Sequence, residues 1–303
     1  MLERIEARAN TIGGGLTIRR ALPNVRRRMV GAWCFLDHAG PLQFPPGEGL
    51  RVGPHPHIGL QTFTWLIEGA VVHRDSLGNE QIITPGQVNL MTAGRGISHA
   101  EDSALPQGKP GRLHAVQLWI ALPDAQRHRT PSFRNHADLP LIESGGFSVC
   151  VLAGSALGHS SPAEVFSPLV GLELSAPDAA RLALPVTASF EHALLVLEGE
   201  ADVGAEKLAP GTLLYAAPGR DSIDISCRDA ARLIVIGGTP FDEDILLWWN
   251  FVARRPEEIQ QATREWNAGE RFGSVHGSPS AALIAPDPAG LNLRAPHPQA
   301  PPG

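Results

Sequence analysis

No apolar run in this 303-residue chain approaches the ~18 residues that a membrane-crossing helix needs. Its first residues, Met1-Leu2-Glu3-Arg4-Ile5-Glu6, carry charge where a secretory signal would be apolar. Cysteine is scarce. Cys34, Cys150 and Cys227 are far apart, odd in number and form no CxxC pair, which gives no disulfide framework and suits a reducing compartment. A cytoplasmic protein without membrane contact is therefore expected. Long cationic runs are missing too. Arg26-Arg27-Arg28 is the longest, and beside a formal net charge of −6 it is too short a footprint for direct nucleic-acid binding. With 32 Gly and 27 Pro, long helices are also not expected.

Short runs rich in β-branched and aromatic residues recur between turn signals. They are Gln61–Ile67, Ala70–His73, Gln87–Leu90, Leu113–Ala121, Phe147–Leu152, Ala193–Leu197, Thr212–Ala216 and Arg232–Gly237. This spacing predicts an all-β protein, a barrel or a sandwich. One helix is predicted late. Pro256 suits its first position, Glu257 and Glu258 suit the positive end of its dipole, and Gly269 follows its end.

The chain repeats itself. Leu66-Ile67-Glu68-Gly69 matches Val196-Leu197-Glu198-Gly199, and the stretch Thr84–Arg95 aligns without a gap on Ala209–Arg220. Two tandem barrels follow, one over residues 1–135 and one over 136–275 that also carries the helix. Residues 276–303 hold seven prolines from Ser278 onward and no amphipathic period, and are expected to form a disordered tail that includes His297.

Two motifs carry chemistry: His55-Pro56-His57 and His99-Ala100-Glu101. Along a strand, residues i and i+2 point the same way. Two such strands in one barrel would aim three imidazoles and a carboxylate at one point, a metal site. Pro56 cannot donate to a ladder, so its strand should be an edge or bulged. Carried through the repeat, His55 and His57 fall on Pro185 and Thr187, and His99 and Glu101 fall on Asp224 and Ser226. The second barrel keeps the turns and loses the ligands.

Other polar residues have plainer readings. Gly94 and Gly96 serve a tight turn. His73 and Arg74 lie in a hairpin whose turn Asp75 caps, and His73 is a lesser candidate for the pocket wall. Asp37 and His38 read as loop residues after an apolar strand. His114 and Gln117 read as core or pocket wall. If the first-motif strand continues unbroken, Gln61, Phe63 and Trp65 share the ligands' face, with Phe63 and Trp65 as core.

These residues resemble the pirin family of the cupin superfamily. The similarity lies in His55-Pro56-His57-Ile58-Gly59-Leu60, His73-Arg74-Asp75-Ser76-Leu77-Gly78, Met91–Glu101, Gln117-Leu118-Trp119, Leu122-Pro123 and Trp248-Trp249-Asn250-Phe251. The resemblance implies two tandem cupin (double-stranded β-helix) barrels with a short C-terminal helix. It implies one metal, usually iron, on the residues matching His55, His57, His99 and Glu101, and a metal-free second barrel. Some family members act as quercetin dioxygenases and others as iron-dependent regulatory partners of other proteins. One departure is Gln61, where many members carry Glu.

Three nitrogens and one oxygen suit Fe(II), with Zn, Mn, Ni, Cu or Co as alternatives. Two octahedral positions would remain for an oxygenated substrate and O₂, and Glu101 is the candidate base. Three functions stand open: a dioxygenase on a flavonol-like or other enolisable aromatic substrate, an iron-dependent redox-sensing protein that binds a partner protein, and a metal-dependent isomerase or hydrolase. A monomer is expected, because duplication already packs two barrels together.

Overall fold

A computed structural model describes residues 2–12, 15–104, 110–291 and 293. The predicted strands form where the alternation placed them, and the longest exceed their predicted lengths. Leu169–Pro185 and Ser222–Gly238 run as long paired ribbons. Three sheets dominate. A seven-stranded sheet and the four-stranded sheet Arg51–His57, Ile97–Ser103, Val71–Asp75, Glu80–Ile83 make the N-terminal barrel, and a nine-stranded sheet makes the C-terminal one. The expected all-β architecture of two cupin barrels is present.

The barrels pack back to back. Leu36, Phe63 and Val116 of the first meet Leu195, Tyr215 and Ile234 of the second in one core. Trp33 is fully buried there, edge-on to Phe63 at 5.6 Å, with its indole N–H shared between the carbonyls of Val170 and Gly237, each at 3.2 Å. An aromatic of this size, buried and satisfied, anchors the interface.

The two termini exchange barrels, which moves the expected boundaries at 1–135 and 136–275. Leu2–Glu6 pairs with Thr212–Ala216 in the C-terminal sheet, burying Ile5 between the barrels and covering what would be an open sheet edge. Beyond Gly238 the chain returns to the N-terminal barrel. The hairpin Leu246–Trp248 with Phe251–Ala253 and the helix Pro256–Asn267 pack on Ile58 through Phe251 and Ile259, and Phe272, beyond the helix, joins the same cluster. The helix forms as predicted, with Pro256 first, and Glu258 accepts the backbone N–H groups of Arg254 and Arg255 at 2.9 and 3.1 Å.

The tail also differs from expectation. Residues 278–291 form neither helix nor strand, yet they lie on the barrel. The Leu283 N–H donates to the Pro54 carbonyl at 2.8 Å, Trp266 donates its indole N–H to the Leu283 carbonyl at 2.7 Å, and Ala285 exchanges two hydrogen bonds with Asn267. Backbone polar groups hold this segment, and they leave no hydrophobic period to read. Residues 292 and 294–303, His297 among them, lie outside the described residues.

Candidate metal centre

Both motifs lie on adjacent antiparallel strands. His99 stands opposite His55 and Ile97 opposite His57. The register then shifts, so that Glu101 faces Val52, and the extra residue sits on the first-motif strand near Gly53 and Pro54. That strand is the edge of its sheet, as its prolines require. On its other side Ile97–Ser103 pairs with Val71–Asp75, which sets Glu101 opposite His73 and His99 opposite Asp75. Gly94 starts the second-motif strand from a tight turn. Its φ is 53°, and a Cβ there would lie 2.1 Å from the Arg129 carbonyl oxygen.

The donor atoms of His55, His57 and His99 lie within 4.8 Å of one another, and those of His73, His99 and Glu101 form a second such group sharing His99. Glu101 joins the three imidazoles through the second group. All four line one cavity of about 530 Å³.

Hydrogen-bond partners assign the ring tautomers. His55 donates its Nδ1–H to the Gly53 carbonyl at 2.9 Å, and His57 donates its Nδ1–H to the Asn250 carbonyl at 3.1 Å. His73 donates Nε2–H to Asp75 Oδ2 at 3.1 Å, which leaves its Nδ1 to accept from His99 Nδ1–H at 3.3 Å. His55, His57 and His99 thus each present an unprotonated Nε2. Asp75 is fixed in turn by the N–H groups of Leu77 and Asn79 at 2.9 and 3.1 Å, the turn-capping role read from the sequence.

Electrostatics act the same way. Burial pushes the His55 pKa down to about 4, against the Gly53 hydrogen bond, and holds His57 and His99 well below the ordinary range. Neutral imidazole is the ligand form. Burial raises the pKa of the Glu101 carboxyl; the nearby His73 opposes the rise and Asp102 adds to it.

These residues fit a divalent transition metal. The Nε2 atoms of His57 and His99 are 3.0 Å apart, and with both rings protonated at Nδ1 no hydrogen joins them. Two lone pairs at that spacing match neighbouring ligands of one small cation, about 3 Å apart for bonds of ~2.1 Å.

The cavity wall beside the histidines is aromatic. Phe35 and Trp119 stack at 3.9 Å, and Trp119 lies edge-on to His57 at 5.2 Å. Farther along the wall, Asp37 accepts both Arg20 Nε–H and Nη2–H, at 2.8 and 2.7 Å, and Gln117 accepts the Thr64 hydroxyl at 2.8 Å.

Comparison with known proteins gives a consistent picture. The family described as Pirin matches residues 15–120, and the Pirin C-terminal cupin domain matches residues 171–273. The chain belongs to the pirin family. A Pseudomonas aeruginosa protein named provisionally as a quercetin 2,3-dioxygenase is 50% identical over 94% of this chain and 90% of its own length. A pirin-like protein of Caulobacter vibrioides is 37% identical over 84% of this chain and 90% of its own. The crystal structure of an Acinetobacter baumannii quercetin 2,3-dioxygenase superposes with a TM-score of 0.93 at 46% identity, covering 97% of both chains. The pirin resemblance and the fold drawn from the sequence are thereby borne out.

Several residue readings change. Asp37 and His38 lie inside the strand Trp33–Phe44, not in a loop. Asp37 faces the cavity. His38 faces the other barrel, where its Nε2 lies 2.7 Å from that of His114 and His114 Nδ1 lies 3.2 Å from Glu198. Gly59, with φ 68°, separates the first motif from Leu60–Glu68. The side-chain phase is reversed across this break: Thr62, Thr64 and Leu66 line the cavity, while Phe63 and Trp65 join the inter-barrel core. In the second barrel, Pro185 and Asp224 are exposed and the inward positions are Leu182, Leu184, Ile223 and Ile225. The repeat comparison is thus one residue out of phase, and the inward set is apolar. Sequence reasoning missed Asp75 and Asn250 as partners of the centre and ranked His73 low. The signal was there: His73-Arg74-Asp75 repeats the i, i+2 spacing of the two motifs on the strand beside them.

Among the described residues no helix is long and apolar enough to cross a membrane.

Proposed function

We propose that the protein is a metal-dependent dioxygenase acting on a flavonol-like or other enolisable aromatic substrate. In this reading His55, His57, His99 and Glu101 hold one Fe(II). The observation that carries it is the joining of three neutral, outward-turned Nε2 atoms to a cavity with an aromatic wall. The cavity volume of about 530 Å³ falls within the ~300–1,000 Å³ of ordinary small-molecule sites. The names of the Pseudomonas and Acinetobacter relatives support the same substrate class.

A bound divalent cation would supply Lewis acidity, lowering the pKa of a substrate hydroxyl and offering sites for that oxygen and O₂. The chain's residues do the rest. The stacked Phe35 and Trp119 give a planar ring a face to lie against. Asn250 and Gly53 fix the orientation of two imidazoles, and the Asp75–His73 pair fixes the third. Glu101, once released from the metal, accepts the substrate's hydroxyl proton. The regulatory alternative, a redox sensor that binds a protein partner, needs no substrate cavity, so the cavity favours catalysis.

The test is oxygen uptake with quercetin by protein loaded with Fe(II) under anaerobic conditions. Substrate-dependent uptake, lost in His55→Ala, is the expected result. No uptake and no spectral change of the flavonol would remove this substrate.

A further inference from the structure

The wall of the metal-bearing cavity is built in rows, because residues that face each other across neighbouring strands share one side of a sheet. The strands Leu16–Leu22, Trp33–Phe44, Gly111–Ala121 and Leu60–Glu68 lie side by side. Their register sets Arg20 opposite Asp37, Asp37 opposite Gln117 and Gln117 opposite Thr64, and all four line the cavity. Two residues along, on the side of His57, the row is Phe35, Trp119 and Thr62. Two residues the other way it is Ala39, Ala115 and Leu66, all apolar. A polar row thus crosses the cavity about 7 Å beyond the aromatic pair, with an apolar row behind it.

The row's own bonds use only part of its capacity. Arg20 holds both Asp37 oxygens, so the pair carries no net charge, and the guanidinium is fixed 4.3 Å from the centre of the Phe35 ring. Each carboxylate oxygen keeps a further lone pair. Gln117 gives its amide oxygen to the Thr64 hydroxyl, and its two N–H donors have no partner among the described residues. Gln117 is half-buried on the inward face of its strand, so what it exposes opens on the cavity. The second barrel shows that the fold does not need this row. Counted from Glu68-Gly69 and Glu198-Gly199, Thr64 corresponds to Leu194. Strand register then places Val235, Leu172 and Val151 where the first barrel has Gln117, Asp37 and Arg20, and all four are core residues of the second barrel. Only the barrel with the metal-site motifs carries polar groups at these positions.

We propose that this row reads the end of the substrate remote from the metal and selects an uncharged aromatic ring bearing hydroxyl groups, with Gln117 donating to a hydroxyl oxygen and Asp37 accepting a hydroxyl hydrogen. The inference rests on the reading above that a flavonol-like oxygen sits at the metal. The chemistry follows from the pairing. Arg20 and Asp37 neutralise each other, so a charged ring substituent would lose its water without gaining a counter-charge. An unsubstituted ring would cover the Gln117 donors and leave them unpaired. A hydroxyl group, both donor and acceptor, answers both Gln117 and Asp37.

Quercetin and 3-hydroxyflavone share their rings and the hydroxyl beside the carbonyl; only quercetin carries further ring hydroxyls. Zinc-loaded protein is titrated with each and its tryptophan fluorescence followed, so that binding is read without turnover. Quercetin should bind about tenfold or more tighter. Gln117→Leu should cut that preference to about threefold or less by weakening quercetin alone, with zinc content kept; a merely structural role would weaken both flavonols. Arg20→Leu/Asp37→Leu, which removes both charges together, should act in the same direction and serves if Gln117→Leu does not fold. Oxygen uptake by the iron-loaded protein separates this inference from the reading it rests on. The preference without any uptake would support the recognition and remove the dioxygenase. Uptake with quercetin but equal affinity for the two flavonols, saturable binding of neither, or a preference kept in folded Gln117→Leu would each overturn the proposal.

Discussion

Replacing His73 by leucine should weaken metal binding by about 10–100-fold, or ~1.4–2.8 kcal/mol, although His55, His57 and His99 all remain. The reasoning runs from Asp75 outward. Burial raises the Asp75 pKa, but hydrogen bonds from His73 and Asn79 outweigh it and keep the carboxyl below its ordinary range. An ionised Asp75 holds the His73 Nε2 proton, which leaves His73 Nδ1 as the acceptor for His99. Without that acceptor, the buried His99 Nδ1–H is stranded at a cost of ~1–3 kcal/mol. His99 then gains by moving its proton to Nε2, the atom the metal needs. His73→Gln keeps a side-chain oxygen that can accept, and should recover most of the loss. The assay is competition with a chromophoric chelator for Zn(II) or, anaerobically, Fe(II). The stacking of His73 on Phe133 at 4.2 Å makes the melting temperature of metal-free protein a necessary control. Unchanged affinity in folded His73→Leu would refute the relay. A loss as large as that of His99→Ala would make His73 itself a ligand.

Three further outcomes are expected. Glu101→Gln should lower kcat by about 10²–10⁴-fold if Glu101 takes the substrate proton, as read by oxygen uptake at matched metal content; full turnover with full metal would refute that role. Trp119→Ala should raise KM about 5–30-fold, through loss of ~1–2 kcal/mol of stacking beside His57, with metal content unchanged. Stability should fall on acidification because burial, then the charges of His114 and Arg19, lower the folded-state His38 pKa to about 3. The unfolded chain takes up that proton first, near pH ~6.5, so the stabilisation is complete above that pH and is lost progressively toward pH 3, at no more than ~1.4 kcal/mol per unit. Urea midpoints measured between pH 7 and 4.5 should show this slope, and His38→Leu should flatten it.

The fold was legible because its signals are local. Alternating runs, Gly and Pro turns and an ungapped repeat all act within a few residues, and the helix starts where Pro256 and its following glutamates put it. The two motifs were legible for the same reason, since a strand's two-residue period needs no partner to be read. What stayed hidden depends on partners far away in the chain. Ile5 completes a core with strands of the other barrel, Asn250 reaches His57 across 193 residues, and Leu283 is held by backbone groups that carry no side-chain pattern. Phase errors came from single residues. The break at Gly59 reversed the faces of Phe63 and Thr62, and the repeat comparison fell one residue out of phase at Asp224.

Metal stoichiometry tests the central claim most directly. Protein loaded with Fe(II), passed through a desalting column under anaerobic conditions and analysed by mass spectrometry for metal should carry one equivalent per chain. The His55→Ala/His57→Ala variant, folded by circular dichroism, should carry almost none. Equal metal in the two proteins, or no stoichiometric metal in the parent, would contradict the account.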